Sequence, residues 1–300
     1  MLLDISGNTF SSLGSSVPTI LVGPRQIYGD SLQVHVDTTD YRNMFSTATG
    51  STNVSLTGQT QVKRIDDISG KGRKFYYFTG VSSVEGVTIN GSTIQETFTS
   101  TTVNQFSGSS FDTNKGVFGI GTVSSSIIMI SPLINTFVTA PDSAATLCFY
   151  SYWGGQSAGA PVFGLSRGYS LNPVFYFGQN NNSTILNFYV KNVSRFTFNI
   201  SAYAQKTSLF LATITGNTYY FYINDTFISS GTMTSGVYPI TGVNSSGGYF
   251  IDCALASTPQ FSGTKTHEGF ISHSYTTPEQ VKLLYNYFTT KFKNKIDNYR

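Results

Sequence analysis

Charge is scarce in this sequence: Asp, Glu, Lys and Arg make up 11 % of 300 residues, where a soluble domain usually carries about 25 %. So few charges would suit a membrane-embedded chain, but long apolar runs are missing as well. The run Ile127-Ile128-Met129-Ile130 stops at Ser131-Pro132, whereas a spanning helix needs about 20 apolar residues. Solubility is therefore left to Ser, Thr, Asn and Gln. The net charge of +3 is too small for a phosphate-binding footprint. These absences exclude a coiled coil, a nucleic-acid-binding tail and membrane insertion by helices, and leave an enzyme open.

Cysteine is nearly absent. Cys148 and Cys253 both sit among apolar neighbours, as in Leu147-Cys148-Phe149. Each reads as a small buried hydrophobe, with a disulfide between them as the alternative. The start, Met1-Leu2-Leu3-Asp4, has no basic residue and no sustained apolar stretch. No secretory signal is expected, so the chain is expected to stay in a cytoplasm or to assemble there into something larger.

Catalytic groups are few. There are four glutamates, Glu85, Glu96, Glu268 and Glu279, and none has a second carboxylate at i+2 or i+4. Glycoside hydrolysis needs two carboxylates facing one bond, so a divergent glycosidase is the reading this pattern argues against. The three histidines, His35, His267 and His273, stand at no zinc-like spacing. The expectation is a chain that is not an enzyme and needs no cofactor.

Aromatics, by contrast, are plentiful: 24 Phe, 19 Tyr and 1 Trp. They gather in short runs with strand-like bias, such as Val174-Phe175-Tyr176-Phe177, Phe196-Thr197-Phe198-Asn199-Ile200 and Tyr219-Tyr220-Phe221-Tyr222-Ile223. Turn residues separate them, as in Thr215-Gly216-Asn217 and Ile223-Asn224-Asp225. Short strands with frequent turns predict an all-β, two-sheet jelly-roll sandwich. One segment departs from this. Thr277-Pro278-Glu279-Gln280 carries an N-cap hydroxyl, a first-turn proline and a capping-box glutamine. Val281, Leu284, Phe288 and Phe292 follow at helical spacing, which predicts a C-terminal amphipathic helix on the sandwich. Residues 1–30 read as an extended N-terminal arm, residues 31–300 as the jelly-roll domain, and residues 80–112 as a β insertion within it.

Four stretches, in order, resemble concanavalin A-like jelly rolls of the laminin G-like type. Val34-His35-Val36-Asp37-Thr38-Thr39-Asp40 is similar to the opening strand and its Asp-containing turn. Val62 to Gly72, with Asp67-Ile68-Ser69-Gly70-Lys71-Gly72, resembles the family's W-x-D-x-S-G-x-G hairpin, with Arg64 or Ile65 where Trp is usual. Leu209 to Ile223 followed by Asn224-Asp225 resembles the strand pair ending in Y-V-N-G, with Asp225 replacing Gly. Glu268 to Tyr275, then Thr277 to Phe292, resembles the closing strand and helix.

The resemblance implies oxygen-ligated calcium, with Asp66, Asp67, Asn224 and Asp225 as candidate ligands. No loop here has ligands at alternate positions with a closing Glu, and Asx-turn hydrogen bonding is the competing role. A carbohydrate platform needs an exposed aromatic beside polar groups, which makes Tyr152, Trp153 and Asn181 the candidates. The fold does not name the function. Low charge, absent catalytic arrays and an apolar arm lead to a non-enzymatic virion structural protein: a minor capsid, decoration or fibre subunit. It is expected in the virion, as a homo-oligomer held to other subunits by residues 1–30. The alternative is a carbohydrate-binding adhesion module.

Overall fold

The computed structural model describes residues 21–47, 50–54, 64–79, 83–84, 87–90, 93–96, 127–132, 144–153, 161–167, 172–179, 184–190, 194–233, 248–251 and 265–293. In chain order the first elements are α1 (Pro24–Tyr28), β1 (Leu32–Asp37), β2 (Met44–Phe45), β3 (Arg64–Asp66) and β4 (Lys74–Thr79). The short strands β5 (Ser83–Val84), β6 (Val87–Asn90) and β7 (Thr93–Glu96) come next, then β8 (Ile127–Pro132) and β9 (Ala144–Tyr152). They are followed by β10 (Pro161–Arg167), β11 (Asn172–Gln179), β12 (Ile185–Val190) and β13 (Ser194–Asn199). The chain continues through β14 (Thr207–Thr215), β15 (Thr218–Ile223), β16 (Thr226–Thr232), β17 (Gly248–Ile251), β18 (Lys265–Ser272) and α2 (Pro278–Phe292).

These strands form an all-β, two-sheet jelly-roll sandwich. One sheet has six strands in the order β1-β18-β9-β14-β15-β16, and the other nine in the order β13-β12-β11-β10-β17-β8-β4-β3-β2. The strands β5, β6 and β7 make a separate three-stranded sheet inside the expected insertion, whose residues 97–112 lie outside the described residues. Phenylalanines join the two main sheets: Phe149 lies 5.1 Å from Phe177, and Phe198 stacks on Phe221 at 4.0 Å. Burying each such ring contributes roughly 1.5–3 kcal/mol.

At β9 and β14 the six-stranded sheet is covered on both faces, which explains why these strands are buried at successive positions. On β9, Ala145, Leu147 and Phe149 face the sandwich core, whereas Cys148 and Tyr150 face α2. Cys148 carries a free, buried thiol, and Cys253 lies outside the described residues. The helix buries Val281, Leu284, Phe288 and Phe292, and Tyr150 stacks on Phe288 at 5.2 Å and on Phe292 at 5.3 Å. Its capping box is complete: Gln280 N donates to Thr277 Oγ1 at 3.3 Å and Thr277 N donates to Gln280 Oε1 at 2.9 Å.

The expected arm reaches too far into the domain. Gly23 and Pro24 begin a helical turn, α1, because proline suits a first helical position. Tyr28, at its end, is buried 5.0 Å from Phe270, with its hydroxyl 2.6 Å from Thr276 Oγ1. Residues 24–31 therefore belong to the sandwich, and residues 1–20 lie outside the described residues.

Candidate binding surfaces

Among the described residues the densest group of ionisable side chains lies between β1, β18 and α2. Two irregularities place it there. The pairing of β1 with β18 shifts register between Leu32 and Val34, and that of β18 with β9 shifts between Thr266 and Glu268. Each extra residue moves the side chains beyond it to the opposite face. His35, Asp37 and Glu268 thus face the helix, while Val34, Val36 and Ile271 join the sandwich core.

There, His35 Nε2 stands 2.5 Å from Glu268 Oε1, and the Tyr287 hydroxyl donates to the same oxygen at 3.0 Å. Lys291 Nζ donates to Glu268 Oε2 at 2.5 Å and to Asp37 Oδ2 at 2.6 Å. Asp37 Oδ1 accepts from Thr39 N at 2.8 Å and from the Thr39 hydroxyl at 2.6 Å. Burial alone would raise the Glu268 carboxyl, but His35 and Lys291 outweigh it and hold the group below the usual carboxylate range. Burial would likewise lower Lys291, and Glu268 and Asp37 push it above its ordinary value instead. Burial, then the Glu268 charge, raises the Tyr287 phenol. Both oxygens of each carboxylate are occupied and Glu268 is 0 % exposed. The cluster fastens α2 to two strands.

The calcium candidates do not converge. Asp67 Oδ1 accepts from His35 N at 2.7 Å and Ser69 N at 3.0 Å, and Oδ2 accepts from the Ser69 hydroxyl at 2.5 Å. Asp66 pairs with Arg64 Nε at 2.7 Å. Asn224 adopts φ +58° in the turn between β15 and β16 and accepts from Leu209 N at 3.0 Å through Oδ1. Asp225, beside it, is exposed. Leu209 is on β14, three strands from β1 in the sheet. Asp67 and Asn224 act as Asx-type turn supports at separate places. Among the described residues no group of three or more His, Cys, Asp or Glu could hold a metal ion.

The expected sugar platform at Trp153 is also corrected. Trp153 is 0 % exposed and its ring lies 5.5 Å from Phe210 within the sandwich core. It continues the inward-facing series of β9, so neither ring face meets solvent. Tyr152 is half-buried at the end of β9. Asn181 lies outside the described residues.

A different aromatic surface emerges where the six-stranded sheet extends past α2. Tyr220 and Tyr222 point to the helix side of β15, as the two-residue period requires. Tyr220 meets Tyr275, on the β18–α2 connection, edge-on at 5.7 Å. Tyr222 meets Phe227 of β16 edge-on at 5.6 Å. Phe227 is 52 % exposed, Tyr220 and Tyr275 are half-buried, and Tyr222 is buried. Burial, followed by the neighbouring phenols, raises the Tyr222 and Tyr275 hydroxyls, and the Glu279 charge acts on both. Rings, hydroxyls and one carboxylate are thus grouped at the sheet edge formed by β16. The tyrosine run on β15 announced a strand, and its alternation was the available signal for a shared face.

Among the described residues no helix is long and apolar enough to cross a membrane. No protein-family model matches the chain, and no curated protein matches it. Among solved structures it is similar to the binding domain of botulinum neurotoxin DC in complex with rat synaptotagmin II. That likeness has 12 % identity and a TM-score of 0.49 over 86 % of this chain and 51 % of the other. It is also similar to the botulinum neurotoxin serotype D/C VPI 5993 binding domain, at 14 % identity and a TM-score of 0.47 over 86 % and 52 %. A third, described as showing that cell entry of botulinum neurotoxin type C depends on two ganglioside molecules, has 13 % identity and a TM-score of 0.47, over 86 % and 51 %. The chain spans about half the length of these structures, and identities this low concern fold alone.

Proposed function

We propose that this chain is a non-enzymatic binding module that recognises carbohydrate through Tyr220, Tyr275 and Phe227, with the buried Tyr222 ring supporting Phe227 edge-on. The observation carrying this reading is the grouping of four rings at one sheet edge, with Phe227 52 % exposed. Aromatic faces suit the apolar faces of sugar rings, and phenol hydroxyls with the Glu279 carboxylate supply orienting hydrogen bonds. The non-enzymatic part is supported by the occupied oxygens of Asp37, Asp67 and Glu268. The laminin G-like form of the jelly roll belongs to the same reading. Its supports are the Asp67 turn, the Asn224-Asp225 turn and the pairing of Glu268 with α2. A glycan array probed with the wild type, Tyr220→Ala and Phe227→Ala tests the proposal, with thermal unfolding as the fold control. Binding by the wild type, weakened roughly tenfold in each variant, is the expected result. A blank array for the wild type overturns it.

A second reading is favoured by the sequence of residues 1–20, where Leu2, Leu3, Ile5, Phe10, Val17 and Ile20 stand among Ser and Gly. That is much apolar surface for a solvated tail. In this reading the module is a homo-oligomeric virion subunit held to neighbouring subunits by that segment. Deleting residues 1–20 should leave a folded, unassembled sandwich, and normal incorporation of the truncated chain into particles refutes the anchoring role.

A further inference from the structure

Lys291 and Asp37 are 254 residues apart in the chain, one on α2 and the other at the end of β1, yet the amine of one lies against the carboxyl of the other. Lys291 Nζ stands 2.6 Å from Asp37 Oδ2 and 2.5 Å from Glu268 Oε2. Asp37 and Glu268 are 3 % and 0 % exposed, and the Lys291 side chain is 25 % exposed. The Tyr287 and Phe292 rings are centred 5.4 and 5.3 Å from Nζ. A nucleophile, an acyl group and a second carboxylate able to carry protons are therefore held together where charge is costly.

The Asp37 carboxyl is polarised from its other side. Its Oδ1 accepts from Thr39 N at 2.8 Å and from the Thr39 hydroxyl at 2.6 Å. Two such donors stabilise the oxyanion that forms when a carboxyl carbon is attacked. Oδ2, which faces Lys291, is the oxygen placed to leave. On Glu268, Oε1 is held by His35 Nε2 at 2.5 Å and by the Tyr287 hydroxyl at 3.0 Å, which keeps Oε2 directed at Nζ.

We propose that Lys291 and Asp37 form an intramolecular isopeptide bond, with Glu268 as the proton relay. Glu268 Oε2 takes a proton from the ammonium, and the freed amine attacks Asp37 Cγ. As the C–N bond forms, an electron pair moves onto Oδ1 between its Thr39 donors, and it returns as the Cγ–Oδ2 bond breaks. Of the three ammonium protons, one stays on the amide nitrogen and two leave with Oδ2 as water, relayed by Glu268. Nothing is oxidised or reduced and no co-reactant is needed. Burial favours the neutral amine, but the two carboxylates oppose it more strongly, so uncovering the amine is the slow step. Fixed placement offsets this, since well-oriented groups react as if at roughly 10⁵–10⁸ M. The product replaces two poorly hydrated charges with a neutral amide, and it ties β1 covalently to α2.

Intact-mass spectrometry of the folded full chain, followed over prolonged incubation, tests this. Chains isolated before the bond forms hold the ion pair and keep the full sequence mass. The expected product is lighter by one water, and its protease digest contains a branched peptide joining Asp37 to Lys291. Asp37→Asn should form the same bond with loss of one ammonia instead. Lys291→Arg keeps the charge and should retain its full mass, and Glu268→Gln should slow the reaction at least about a hundredfold. Wild type held unfolded in urea should not react. Folded wild type that keeps its full mass, with both peptides linear, overturns the proposal. A water loss that persists in Lys291→Arg overturns it as well, because the reaction then lies elsewhere. A Glu268→Gln chain that melts like the wild type and cross-links as fast refutes the relay.

Discussion

Replacing Lys291 with methionine keeps most of the side-chain stem and deletes the charge that joins α2 to the sheet. In the wild type the ammonium lies 2.5 Å from Glu268 and 2.6 Å from Asp37. Without it, Glu268 retains His35 and Tyr287, and Asp37 retains Thr39, but two buried carboxylates share a site with no ammonium. Removing one partner of a buried ion pair typically costs about 3–5 kcal/mol. The Lys291 side chain is 25 % exposed, so water compensates in part and the lower end, about 3 kcal/mol at pH 7, is expected. The pH dependence carries a sign. With Lys291 present, Glu268 is held below its ordinary value of 4.5, so its contribution is full above that value and declines as pH falls further. With Lys291 gone, Glu268 keeps His35 but loses one of the two groups that hold it down, so its carboxyl sits higher than in the wild type and the variant loses less stability from pH 7 to pH 5. The gap from the wild type therefore narrows on acidification. Urea unfolding at both pH values measures it, and Lys291→Met/Glu268→Gln closes the cycle and should recover most of the loss. A gap below about 1 kcal/mol at pH 7, or one that widens on acidification, refutes the account.

Leu284→Ala should destabilise by roughly 2–5 kcal/mol in the same assay, since Leu284 is buried between α2 and the sheet; a loss under about 0.5 kcal/mol would mean a solvent-facing side chain. Trp153→Ala should lose roughly 3–5 kcal/mol, while glycan binding by the fraction that remains folded is unchanged; lost binding in well-folded protein would restore Trp153 to a ligand site. Gly164→Ala should cost about 3 kcal/mol, because a Cβ would stand 2.3 Å from Tyr176 Cβ and 2.4 Å from Phe175 O; circular dichroism melts of the two proteins decide it.

The features legible in the sequence were those encoded locally. The cap at Thr277, the proline after it and the 281, 284, 288, 292 spacing specify α2 without reference to the rest of the chain. The aromatic runs locate β11, β13 and β15 because alternation and turn residues act over a few positions. The turn at Asp67 was legible for the same reason. The facing of side chains was not. Trp153 beside polar neighbours looks like a surface ring, and only the sheet opposite β9 makes it core. Glu268 was visible as a motif residue, yet its contact with His35 depends on register shifts in two strands and a partner 233 residues away. The turn α1 was missed although Gly23-Pro24 marks its start, because its stability comes from Tyr28 seating on Phe270 rather than from its own five residues.

The pairing of β1 with β18 has a consequence for how the chain reaches this state. An early strand finds its neighbour only after nearly everything between has been made, and α2 covers that seam only after β18 is in place. Until then β1 has an open edge, and Leu32 and Tyr150 have no cover. Such distant closure slows folding, since loop entropy must be met before the contacts form. On the ribosome, the six-stranded sheet cannot close until the segment carrying β18 and α2 has emerged. Nascent chains stalled before that point should therefore be protease-sensitive and prone to edge-to-edge association, and chains stalled after it should not.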